Sequence, residues 1–166
     1  MKKTAVAIFS FMTILILFPC HVSGAPAYEG GMTFKYVEGK EWVLEELRSD
    51  GKTVYFDRKK LEAEGLRDVY TIIFRDSGEP NGSQVNGMGA PNRYFGPYTS
   101  FSNRTISIGN LASTMMMAFR EPDGLKENEY FTYLSRITRW DMREGKLELH
   151  SSNTNGSEAV LVFTVK

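Results

Sequence analysis

Residues 87–101, GMGAPNRYFGPYTSF, concentrate three glycines, two prolines and four aromatic rings in fifteen positions. Gly87 and Gly89 permit either a positive φ or a close backbone approach, Pro91 fixes its own φ and drives Ala90 towards an extended conformation, and Asn92 tolerates the left-handed region. Such a stretch turns the chain sharply. Tyr94, Phe95, Tyr98 and Phe101 then spread over both faces of the strand that leaves the turn. If Tyr94 and Tyr98 face inward, alternation carries Arg93 and Phe95 outward. No helix opens after the Gly-x-Gly, so the backbone donors that hold a pyrophosphate are missing and a nucleotide loop is excluded.

The segments around this corner are short, apolar on alternate positions and separated by turn residues. EWVLEEL alternates Trp42 and Leu44 and loses phase at Leu47, a strand ending in the Ser49–Gly51 turn. DVYTIIF sets Tyr70, Ile72 and Phe74 on one face, QVNGMG re-enters the sheet after a Gly- and Pro-rich loop, and RTISIGN alternates Ile106 with Ile108. RITRWDM, KLELH and AVLVFTV, joined by REG and a polar turn, form a closing meander. Residues 57–66 read as irregular, with one helical turn or an extended edge as the alternatives. Only EPDGLKENEYFTYLSRI changes period: Leu125, Tyr130, Leu134 and Ile137 recur at helical spacing, with acids first and Arg136 last, as the helix dipole favours. The fold class expected is α+β: a curved, nearly closed antiparallel sheet, barrel-like, with one main helix.

Lys2 and Lys3, an apolar run from Ala5 to Phe18, Pro19 and then small residues form a secretory signal peptide over residues 1–27. The run is too short for a permanent span. Cys20 offers a lipoprotein exit to the outer membrane, but Phe18 and Pro19 stand where small residues belong. Removal of residues 1–27 leaves no cysteine, so no disulfide is expected, and residues 28–39 read as a mobile leader, open to pairing at a sheet edge, before a domain over 40–166. Only Lys2 and Lys3 go with residues 1–27 from 20 basic and 20 acidic side chains. A chain left slightly acidic excludes nucleic acid as a partner.

EWVLEEL, NGMGAPNRYFGPY, STMMMAF, ENEYFTYL and KLELH with LVF, in that order, resemble the landmarks of the META/HslJ-like domain from Lys40 to Lys166. The resemblance implies a small exported or envelope-associated bacterial domain, linked to stress and drug-resistance phenotypes, with no catalytic residues to carry over. Its structural motif maps onto Gly87, Gly89, Asn92, Tyr94, Tyr98, Thr114 and Met116. Many relatives carry Cys in the turn and again after the Thr-x-Met segment; Pro91 and Ala118 stand there instead. Joint loss implies that the two places are close in the fold and that no thiol chemistry is needed.

Met115, Met116 and Met117 are read as core filling, with Cu(I) thioether ligation as the alternative. His150 is the only histidine after the signal peptide, and neither a nucleophile elbow nor a ligand spacing accompanies it. Asn81, Asn103 and Asn155 begin Asn-x-Ser/Thr sequons that read as chance occurrences in turn-rich sequence. No cofactor and no metal are expected. The functional expectation is a non-enzymatic, monomeric binding module, periplasmic, outer-membrane-associated or secreted, with Arg93 and Phe95 contacting a protein or lipid partner. An inhibitor or pilot-like accessory is the alternative, and a hydrolase the least favoured.

Overall fold

The computed structural model describes residues 33–78, 82–117 and 120–166, which fall in one unit, Met32–Lys166. The signal peptide, Cys20, Asn81 and Ala118 lie outside the described residues. Ten strands are present among the described residues: β1 (Trp42–Ser49), β2 (Lys52–Tyr55), β3 (Thr71–Arg75), β4 (Gln84–Met88), β5 (Arg93–Ser100), β6 (Ile106–Ile108), β7 (Ala112–Ser113), β8 (Arg139–Arg143), β9 (Lys146–Ser152) and β10 (Glu158–Val165). Eight run in the order β6-β5-β4-β3-β1-β10-β9-β8, with β2 added to β1 and β7 to β5. All pairings are antiparallel. The two ends of that path meet where Thr105 bridges Arg139, with Ile106 donating to the Thr138 carbonyl and Trp140 to that of Arg104. The sheet is thus a nearly closed barrel.

Local chemistry sets the corners. Asp50–Gly51 and Glu144–Gly145 all have positive φ and join β1 to β2 and β8 to β9 as two-residue turns, whose twist matches that of the strands. The lost phase of β1 is a bulge: pairing with β10 shifts between Leu44 and Glu46. The extra residue lets Trp42, Leu44 and Leu47 all enter the core. Asn103 and Asn155 accept from the backbone N–H two residues on, so both sequons sit in side-chain-stabilised turns.

Among the described residues two α-helices lie against the sheet, α1 (Arg58–Ala63) and α2 (Glu127–Ser135). The irregular reading of 57–66 is corrected: Asp57 caps Lys59 and Lys60, Leu61 is buried and Gly65, at φ 75°, ends the turn. One apolar anchor in six residues leaves no period to read. α2 is the helix expected from the sequence; Glu129 closes its first turn by accepting from the Lys126 N–H, and Tyr130 and Leu134 face the core.

The leader reading is also corrected for the described part of 28–39. Phe34 and Val37 are buried; Phe34, in a 3-10 turn Phe34–Tyr36, packs its ring 5.0 Å from Phe74 and 5.2 Å from Trp140. Trp42 Nε1 donates to the Val37 carbonyl. The segment adds Phe34 and Val37 to the core, a task too local to show as periodicity.

Candidate docking surface

Register pairs Met88 with Arg93, so Gly89, Ala90, Pro91 and Asn92 make the β4–β5 connection, with a cis Ala90–Pro91 peptide. Neither glycine adopts a positive φ; both serve close approach. A Cβ on Gly87 would stand 2.0 Å from the Thr71 carbonyl oxygen and 2.8 Å from the Tyr94 hydroxyl. That space lets the hydroxyls of Tyr94 and Tyr130 reach the Thr71 carbonyl. A Cβ on Gly89 would lie 2.4 Å from Glu127 Oε1.

Glu127, at the start of α2, is the reason for that second clearance. Its Oε1 accepts from the N–H groups of Ala90 (2.5 Å) and Asn92 (2.6 Å), and its Oε2 from the Asn92 side-chain amide at 2.6 Å. Asn92 is buried, and it is not left-handed as its residue type allowed. Its Oδ1 accepts from the Thr114 hydroxyl and the Met116 N–H, while its Nδ2 also donates to the Met116 carbonyl. Thr114 Oγ1 in turn accepts from the Arg93 N–H. A carboxylate on a helix, an amide in a turn and the segment 114–116 are locked together by charge-assisted and amide hydrogen bonds.

Beyond the turn, β5 alternates as expected. Tyr94 and Tyr98 are buried, whereas Phe95 is 59% exposed and Arg93 is exposed. Desolvation raises the hydroxyl pKa of Tyr70, Tyr94, Tyr98 and Tyr130, so the core side is held neutral. On the outer side Ile73, Asn86 and Phe95 lie opposite one another across β3, β4 and β5, beside Met88 and Arg93, and they line a shallow groove. At its end Lys166 Nζ sits 2.9 Å from both Glu41 and Asp68. Arg93, by contrast, has no hydrogen-bond or ion-pair partner for its guanidinium among the described residues.

The methionines depart from the sequence reading. β7 ends at Ser113, and Met115, Met116 and Met117 are 98%, 55% and 94% exposed. Core filling is therefore wrong. Asn92 fixes the backbone of Met116 outside any strand, so the neighbouring side chains project from the surface rather than alternate into the barrel. The proximity of Pro91 to Ala118 inferred from the missing cysteines falls on Ala118, outside the described residues.

His150 lies on the outside of β9, away from this surface. Its Nδ1 is 2.9 Å from Glu158 Oε1 and from an Arg139 nitrogen, and Glu158 is held below the usual carboxylate range by that histidine. Glu46, Glu148 and Asp141 form a row across β1, β9 and β8, covered by Arg48, Arg143, Arg104 and Lys146. No hydroxyl or thiol is hydrogen-bonded to His150 among the described residues. Nor do three His, Cys, Asp or Glu side chains converge there to hold a metal ion.

The family profile of the META domain matches residues 35–165. The chain belongs to the META domain family. An NMR structure of a protein from Burkholderia xenovorans is similar in fold, with a TM-score of 0.59 and 22% identity over 92% of this chain and 99% of that one. A crystal structure of a DUF4847 family protein from Bacteroides vulgatus is more distant, at a TM-score of 0.49 and 15% identity over 79% of this chain and 95% of that one. No curated protein matches the chain. The META match begins at Lys35, inside the 3-10 turn that buries Phe34, so residues 35–39 of the segment read as leader lie within the family domain.

Proposed function

We propose that this META domain is a non-enzymatic, exported binding module that engages a protein partner through the outer face of β5, with Phe95 as the apolar anchor and Arg93 as the polar one. The supporting observation is the pairing on β5 of an exposed ring with a guanidinium that has no partner among the described residues, next to a turn held by Glu127. Aromatic and Arg side chains on a pre-organised surface are the usual centres of binding energy. An inhibitor or pilot-like accessory is a special case of the same surface, differing only in what is bound. A hydrolase is disfavoured because the partners of His150 are a carboxylate and a guanidinium rather than a nucleophile. Export rests on the N-terminal sequence, and N-terminal sequencing of the protein recovered from cells tests it: a start between Ala25 and Tyr28 supports a soluble exported form, and an acylated Cys20 replaces it with a lipoprotein. Binding is tested by affinity capture with the wild type and the Arg93→Ala/Phe95→Ala variant. Loss of a specific partner at unchanged melting temperature supports the reading; equal capture by both proteins contradicts it.

A further inference from the structure

Three consecutive methionines held on the surface run against the ordinary use of this residue, which is to fill irregular cores. Among the described residues no packing rests on the side chains of Met115 and Met117: the backbone of residues 114–116 is fixed by Asn92 and Thr114, and Met115 and Met117 are 98% and 94% exposed. Met88 and Met142 are half-buried, and Met142 packs on the core. The fold therefore holds two thioethers in full contact with solvent and keeps two others partly covered.

We propose that Met115 and Met117 are an oxidation site, where hydroperoxides convert the thioethers to sulfoxides in the folded protein. The sulfur lone pair attacks the terminal peroxide oxygen, the S–O bond forms as the O–O bond breaks, and the hydroperoxide proton passes to the departing oxygen, which leaves as an alcohol or water. Sulfur loses two electrons and the peroxide gains them. The product is polar where the parent was apolar, and a sulfoxide reductase reverses it. Because Thr114 is bonded to Arg93 and Ala112 is paired with Phe95, the modified tip adjoins the outer face of β5. Its consequence for binding rests on the proposed docking function; the oxidation itself does not.

The test treats the purified full-length chain with hydrogen peroxide and maps sulfoxides by tryptic digestion and fragment mass spectrometry. Met115–Met117 fall in the peptide Thr105–Arg120, Met88 in Asp76–Arg93 and Met142 in Trp140–Arg143. Sulfoxide is expected at Met115 and Met117 several-fold faster than at Met88 and Met142, with the unfolding midpoint unchanged when both are converted. Equal rates at the four positions overturn the site, as does a midpoint that falls in step with oxidation of Met115 and Met117. Capture by the oxidised protein and by the Met115→Gln/Met117→Gln variant is expected to weaken; selective oxidation with undiminished capture overturns the link to docking and leaves the oxidation site standing.

Discussion

Glu127 accepts hydrogen bonds from both backbone N–H groups and the side-chain amide that Ala90 and Asn92 together present to it, so one carboxylate on α2 organises the β4–β5 turn. Glu127→Ala leaves three donors without their acceptor and is expected to cost about 2–4 kcal/mol. Denaturant unfolding measures this, and amide exchange at Met116 should accelerate in the same variant, because Asn92 loses the group that orients it. A variant as stable as wild type with Met116 still protected would show the network to be incidental.

Gly87 and Gly145 are expected to respond to alanine for different reasons. Gly145, at φ 78° with open space around its missing Cβ, loses only backbone comfort, about 1 kcal/mol. Gly87→Ala drives a methyl group into the Thr71 carbonyl and the Tyr94 hydroxyl, and overpacking of this kind costs roughly 3 kcal/mol or more. Melting temperatures of the two variants decide it; the reverse order would mean that the turn, not the tyrosine contact, explains the glycine.

The legible parts of the fold were those with a period or a turn signature. Strand alternation placed Tyr94 and Tyr98 inside and Phe95 outside, the Ser49–Gly51 turn announced the end of β1 but not β2 beyond it, the REG turn announced its hairpin, and Leu125 to Ile137 announced α2. What stayed hidden depends on contacts remote in sequence. Phe34 finds its place only once Phe74 and Trp140 are assembled, and α1 offers a single buried leucine. The exposure of Met115–Met117 follows from Asn92, more than twenty positions away, and no local pattern records that bond. Gly87 and Gly89 were seen as special, but only the positions of Thr71 and Glu127 tell close approach from positive φ.

Phe34→Ala should destabilise the domain by about 3–5 kcal/mol, as for any large ring removed from a core. Thermal unfolding checks this. A change within about 0.5 kcal/mol, as for a surface site, would return residues 33–39 to the status of a leader.

Stability is expected to fall steeply above pH 10. Tyr70, Tyr94, Tyr98 and Tyr130 are raised above the ordinary value of 10.0 by desolvation first. Their contribution is complete below that pH and is lost as pH rises, because the unfolded chain releases protons that the folded chain retains. Tyrosinate absorbance followed with circular dichroism should show these groups ionising only as the fold is lost. Full ionisation near pH 10 with the fold intact would contradict the burial described.

The central claim is that the outer face of β5 is where a partner sits, and site-specific photo-crosslinking in cells tests it most directly. A photoreactive phenylalanine analogue is placed at Phe95 in one variant and, as a control, at Tyr55, which is 71% exposed on β2. A discrete adduct from position 95 that is absent from position 55, and that disappears with Arg93→Ala, is the predicted result. Identical adducts from both positions, or none from position 95 in cells that produce the folded protein, would contradict the account.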